Sequence, residues 1–416
     1  MISAQNRLLP LSGNRWLFFI SLAVAMAACS PKVRQAAAPV KAEAPVAKAE
    51  PAKAPGKLAA PRVSNISMLL PFDLDNLSPG LQYTASTLQR AILSLDYYQG
   101  FKLALDSLAG QGYSYKLQLF DTKEQPTQSH SLAYMPFIRS SDLIVGPVFP
   151  DDMQAFTSAF GGTVKSIVSP LSPTSPTHIL SQSLITVATP LEYHAWSAAA
   201  YIHDRIKPKK IFMLRSGYSE ENNYILPFKK ATDSLSKKQT KIISATVVRG
   251  QLNGLIPQLS LTDENVFVIP STDQAFLMVT LRSLDTLAKK YKVTLFGHPS
   301  WEKFTYLNAE VLQRLNTHIT SSSRVDYKSA QIVAFARIYR KTYHAELSDY
   351  ALSGFDEGLY FGGLLGANKD GLKKLGDNDF SGLQNDYHFI KKQGLGWVNT
   401  HVNVWKYSNF ELIKTE

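Results

Sequence analysis

Short β-rich runs alternate with helical stretches from residue 66 to residue 296, and this alternation constrains the fold more than any other feature. Ile66 to Leu70 is an apolar run stopped by Pro71. Leu88, Ile92, Leu95, Phe101, Leu105 and Leu108 then carry a helical stripe as far as Gly110 and Gly112. Strand-like runs follow at Tyr115–Phe120, Asp142–Val145, Ser166–Val168, Ile211–Leu214, Ile242–Val248, Val266–Ile269 and Val293–Phe296. Helical stretches separate the later runs near 191–206, 221–238 and 273–290. Strands that alternate with helices through short loops predict βαβ units and parallel sheets. An amphipathic helix at Ala330–Tyr343 and a terminal strand pair around Val402, Val404, Trp405 and Leu412 complete the pattern. This stretch is long enough for two domains, and it shows no short tandem repeat.

Upstream, Arg7 and Arg15 precede an apolar run, Trp16 to Ala28, that ends in small residues before Cys29. That is the pattern of a secretory signal, too short for a comfortable membrane span. A small-residue pair followed directly by Cys resembles a bacterial lipobox, with Met26 where Leu is preferred. The expectation is a lipoprotein signal peptide over 1–28, with Cys29 diacylated, for example by palmitate, as the new N-terminus. An ordinary secretory signal with an incidental Cys is the competing reading. Cys29 is the only cysteine, so neither a disulfide framework nor a thiolate metal site is available.

Residues 29–63 are then expected to form a disordered tether. They are mostly Ala, Pro, Lys, Val and Glu, a composition without the large apolars a core requires. Fully extended, such a segment reaches ~100 Å at ~3.1 Å per residue. The net charge of +11 looks like a nucleic-acid signal, but its distribution argues otherwise: the signal segment carries +2 and the tether +5, which leaves +4 for residues 63–416. No nucleic-acid partner is expected. The basic tether either brushes anionic lipid or wall polymer or is merely a solvated spacer.

The chain lacks Gly-x-Ser-x-Gly, Gly-Lys-Ser/Thr, Gly-x-Gly-x-x-Gly and His-Glu-x-x-His motifs. Asp356 and Glu357 are adjacent, so on a helix they point apart. No enzyme activity, cofactor or metal is expected. The strand ends instead offer small hydroxylic residues and aromatics, at Asp121-Thr122, Gly146-Pro147-Val148, Ser169-Pro170-Leu171-Ser172, Tyr218, Ser271 and Trp301. Ligands of open α/β sheets bind beyond such ends. Turn chemistry alone also accounts for Gly, Pro and Ser at these places.

Met68-Leu69-Leu70-Pro71-Phe72, Asp96 to Asp106, Phe120-Asp121-Thr122, Asp142 to Pro147 and Ser169 to Ser172 together resemble the type I periplasmic-binding-protein superfamily. The resemblance is to its branched-chain-amino-acid-binding and receptor-ligand-binding members. The chain is also similar to the LysM-linked lipoproteins described as amino-acid ABC transporter substrate-binding proteins, with the tether in place of LysM. Tyr350 to Asp356 resembles a late Gly-Tyr-Asp segment of the family, with Phe355 for Tyr.

The resemblance implies an α/β fold of two Rossmann-like lobes with parallel central sheets. Lobe one is expected over 64–189 and 299–385, and lobe two over 190–298 and 386–416. It further implies a cleft in which Gly146, Val148, Ser169 and Ser172 hold a ligand carboxylate and Tyr218 closes over it. Asp356 is a candidate contact from the late segment. The family's amine-binding acid has no match in register, because Glu302 is offset.

Two functions follow as expectations. One is a lipid-anchored periplasmic protein, attached to the outer membrane, that closes on a small polar ligand, amino-acid-like or wall-derived, alone or for a transporter. The other is an interaction lipoprotein that regulates a cell-wall synthase by contact. Both depend on the anchor. Cys29→Ser is expected to move the protein from the membrane pellet to the soluble fraction without changing its melting temperature; retention in the pellet would contradict lipidation.

Overall fold

The structure, a computed structural model, describes residues 62–415 except 78–79, 81–82, 162–164, 369 and 378. The expected signal peptide, Cys29 and nearly all of the expected tether lie outside the described residues. Val63, assigned above to the tether, already begins the first strand.

In chain order the first elements are β1 (Val63–Leu70), α1 (Ala85–Ala109), β2 (Ser114–Asp121), α2 (Pro126–Leu132), α3 (Pro136–Ser140), β3 (Leu143–Val145), α4 (Pro150–Phe160), β4 (Ser166–Ser169), α5 (Pro176–Ile179) and β5 (Leu184–Thr186). Next come α6 (Leu191–Tyr201), β6 (Lys210–Arg215), α7 (Asn222–Leu235), β7 (Lys241–Thr246), β8 (Asn265–Ile269), α8 (Gln274–Ala288), β9 (Val293–Gly297), α9 (Ala309–Arg314) and β10 (Thr317–Ser321). The last are α10 (Ala330–Tyr343), α11 (Asp349–Ala367), β11 (Phe380–Ser381), β12 (Asp386–Tyr387), β13 (Phe389–Lys391), β14 (Trp397–Asn399), β15 (Asn403–Ser408) and β16 (Glu411–Lys414).

Two seven-stranded sheets result, one per lobe, in the orders β2-β1-β3-β4-β5-β14-β13 and β7-β6-β8-β9-β10-β15-β16. The first five strands run parallel in each sheet. The five-strand cores therefore repeat one topology without repeating a sequence, and they diverge at the sixth strand, parallel in lobe one (β14) and antiparallel in lobe two (β15). Period-2 alternation sorts side chains to the two faces of each sheet. Ile66, Met68 and Leu70 face α1 and α11, whereas Leu69, Ile144 and Ile167 pack with Met153, Phe156 and Phe160 of α4. In the second sheet Phe212, Leu214 and Phe267 face α8, while Ile211, Met213 and Val268 face α6 and α7.

Sheet pairing divides the chain differently from the expected 64–189/299–385 and 190–298/386–416. Residues 299–321 belong to lobe two, where β10 pairs with β9 and Trp301 fills the core. Residues 386–399 belong to lobe one, where β14 pairs with β5. The chain crosses between lobes at 187–190, 322–329 and 400–402. Which neighbour a strand hydrogen-bonds decides its lobe, and local pattern carries no such information. The stripe on α1 also divides: Tyr97, Phe101, Leu105 and Leu108 are buried, whereas Leu88, Ile92 and Leu95 are 48%, 45% and 47% exposed. Among the described residues no helix is long and apolar enough to cross a membrane.

Helices α1 and α11 cross in backbone contact. A Cβ on Gly100 would lie 1.9 Å from the Ala351 carbonyl oxygen, and one on Gly354 would lie 2.1 Å from that of Tyr97. A Cβ on Gly358 would lie 2.7 Å from the Ala104 Cβ. Gly354 and Gly358, four residues apart, share one helix face. Inside this contact the Tyr97 hydroxyl donates to Glu357 Oε2 at 2.8 Å, and burial pushes the Glu357 carboxyl well up.

Lobe two buries the imidazoles of His194 and His318 and half-buries that of His298. His194 Nδ1 lies 3.1 Å from Thr320 Oγ1, His298 Nδ1 accepts from the Ser300 N–H at 3.1 Å, and His318 stacks on Phe296. Burial pushes all three down to about 4. A base with a depressed folded-state pKa gives full stability above its unfolded value of ~6.5 and loses it as pH falls toward 4.

Two predictions follow from this packing. Gly354→Val is expected to cost about 3 kcal/mol in urea unfolding by overpacking, whereas Gly363→Ala, whose Cβ meets nothing within 4 Å, is expected to add ~0.5 kcal/mol. In urea titrations from pH 7 to pH 4, His194→Gln is expected to unfold with a shallower pH dependence than wild type, the difference reaching up to about 3 kcal/mol. Identical slopes would contradict a neutral, buried His194.

Candidate functional site

The strand order reverses between β1 and β3 in lobe one and between β6 and β8 in lobe two. The crevices of open α/β sheets lie at such switch points, beyond the carboxyl ends of the strands. The sequence-derived residues gather there in two groups. Asp121 ends β2 and Thr122 follows it, on the far side of β1, while Gly146 to Val148 follow β3 and Ser169 to Ser172 end and follow the neighbouring β4. Tyr218, Ser271 and Trp301 follow β6, β8 and β9, which are also neighbours. Asp356 stands apart, midway along α11.

Most of these groups are engaged within the fold. The Asp121 carboxylate accepts from the backbone N–H groups of Asp73 (3.1 Å), Leu74 (3.0 Å) and Lys123 (2.9 Å), which shapes the loop after β1. Thr122 is buried, and its N–H donates to the Leu70 carbonyl. Gly146 adopts φ +91° before a cis Pro147, with its missing Cβ position 2.1 Å from the Leu69 carbonyl oxygen, so only glycine fits. Val148 is a core residue and Leu171 packs against the same cluster. Ser169 and Pro170 are buried. The Ser172 hydroxyl pairs with that of Thr174 at 2.7 Å.

In lobe two, Trp301 lies in the core and donates its indole N–H to the Ser271 carbonyl at 2.9 Å. It fits because Gly297 has no side chain: a Cβ there would lie 2.2 Å from the Trp301 ring. The Asp356 carboxylate accepts from the N–H groups of Leu383 (2.7 Å), Gln384 (2.9 Å) and Asn385 (2.9 Å), while burial pushes its carboxyl up to about 6. Its observed contacts therefore hold the 383–385 segment beside the second crossing, where Arg324 N–H donates to the Gln384 carbonyl. Glu302 pairs with Arg324 at 2.7 Å and not with His298. Tyr218 is 60% exposed. Among the described residues, no group of three or more His, Cys, Asp or Glu is placed to hold a metal ion.

Two cavities lie away from these strand ends. One, of about 200 Å³, sits at the second and third crossings among Ser321, Arg324, Gln384, Asp386, Asn403 and Trp405. The other, of about 350 Å³, opens between α6 and α7 beneath Lys392. None of the sequence-derived ligand residues lines either one. Sequence reasoning missed Trp196 and Leu226, which line the larger cavity from different helices. Their only sequence signal is that both are large apolar residues in helices otherwise rich in small or polar ones.

No protein-family model matches the chain, and no curated protein matches it. Solved structures do. The chain is similar to a putative branched-chain amino acid ABC transporter protein from Rhodospirillum rubrum, at 11% identity and a TM-score of 0.60, covering 85% of this chain and 100% of that one. An ABC transporter substrate-binding protein from Desulfitobacterium hafniense, in complex with Leu, matches at 15% identity and a TM-score of 0.54 over 85% and 100% of the two chains. The C-domain of LpoA from Haemophilus influenzae, a regulator of PBP1A, matches at 15% identity and 0.56 over 85% and 100%. At these identities the likeness shows fold alone. The chain has the fold of type I periplasmic binding proteins, with two α/β lobes built on parallel-cored sheets.

Proposed function

We propose that this chain is a non-enzymatic periplasmic lipoprotein, anchored through Cys29 to the outer membrane, whose two-lobed domain acts by contact on a cell-wall synthase. One observation carries the reading: most of the polar groups at the strand ends are engaged within the fold, and the two cavities described above lie away from them. Asp121 is saturated by three backbone donors, Val148 and Trp301 are core, and Asp356 organises a loop. A solute carrier needs a few convergent polar groups facing a concave site. The likeness to LpoA, itself a regulator of PBP1A, supports the same reading.

A second reading, closure on an amino-acid-like ligand, draws on the buried Thr122 hydroxyl, which has no hydrogen-bond partner at the end of β2. Ligand present at a hundred times its Kd stabilises a folded protein by about 2.7 kcal/mol. The purified protein is expected to show no rise in melting temperature with any of the common amino acids, short peptides or muropeptide fragments. It is expected to retain a purified cell-wall synthase in a pull-down. A clear thermal shift with one solute, together with no synthase retention, would replace the contact reading with solute binding.

A further inference from the structure

We propose that the groove between α6 and α7 is the docking site for an acidic, amphipathic helix of the protein partner. This rests on the contact reading and adds the chemistry of the partner segment. Tyr193 and Trp196 form one wall, Leu226 and Pro227 the other. Trp196 is 39% exposed and Leu226 64% exposed, although α6 and α7 otherwise turn their apolar residues inward. An exposed Trp beside an exposed Leu in a concavity between two helices suits the apolar face of a third helix. Trp is also among the residues that most often dominate interface energetics.

Charge identifies the occupant. Lys230 lies on the α7 side, and Lys392 closes the groove from the turn between β13 and β14, its ammonium 4.9 Å from the centre of the Tyr193 ring. The lining contains one acid, Glu192, and its carboxylate already accepts from the Ser175 hydroxyl at 2.6 Å. An incoming segment thus meets apolar walls between two cations, which attract Glu or Asp on its flanks and repel a basic segment.

The groove also joins the lobes. α6 and α7 pack on the second sheet, whereas Lys392 belongs to a hairpin of the first. A helix seated there touches both lobes and holds their relative disposition, which links partner binding to lobe geometry.

The test uses the full-length lipoprotein in detergent and two fluorescein-labelled helical peptides of roughly 15 residues. One is built from Leu, Ala and Glu; the other replaces every Glu with Lys. The acidic peptide is expected to bind, with affinity falling as salt rises, while the basic peptide does not. Leu226→Glu and the double variant Lys230→Glu/Lys392→Glu are each expected to weaken binding by roughly tenfold or more with unchanged melting temperature. Equal binding of both peptides, no binding, or binding indifferent to these variants would overturn the proposal. The same variants separate it from the contact reading. If the synthase is retained equally by wild type and variants, contact stands and this groove is not its site. If the acidic peptide binds but no synthase is retained, the groove stands and the synthase is not its partner.

Discussion

The rest of lobe one depends on the glycine-mediated crossing of α1 and α11. Gly100 and Gly354 each bring their helix against a carbonyl of the other, closer than any side chain permits. The two helices together cover one face of the first sheet, with Phe101, Leu105, Phe361 and Leu365 in the same cluster as Ile66, Met68 and Leu70. α11 arrives only after the chain has built most of lobe two and recrossed, so this contact re-enters the first lobe and closes it. The buried Tyr97–Glu357 hydrogen bond lies in the same interface, where an uncompensated carboxylate is costly. Asp356, one residue earlier, points the other way and pins the 383–385 segment. Two adjacent acids thus hold two different parts of the lobe.

Much of the architecture was legible from the order of apolar runs and the Pro, Gly and Ser that stop them. Pro71 after Leu70 and Gly146-Pro147 after Val145 mark real strand ends, and the helical stretches near 191–206, 221–238 and 273–290 all contain helices. The later lobe boundaries were not legible, because those crossings are short and carry no compositional mark. Nothing local in Thr317–Ser321 says that β10 pairs with β9 in lobe two.

The strand ends were legible in position, but what their residues contact was not. Residues at strand ends are where the fold places a crevice, yet Asp121 accepts from residues 73 and 74, 48 and 47 positions away. Trp301 reads as a strand-end ligand contact, whereas the absent side chain of Gly297 opens a place for it in the core. The groove was invisible for the opposite reason. Trp196 and Leu226 are 30 residues apart in sequence and become one surface only because α6 packs on α7.

Each sheet is completed by strands from the end of the chain: β14 pairs with β5, and β15 pairs with β10. Neither lobe can therefore finish as an independent unit while the chain emerges from the ribosome. β5 waits for a partner more than 200 residues downstream, and β10 for one more than 80 residues downstream. Contacts of such long range form late and slowly. Closing both sheets thus depends on one segment, residues 389–414, so the strand order ties the two lobes into a single folding event.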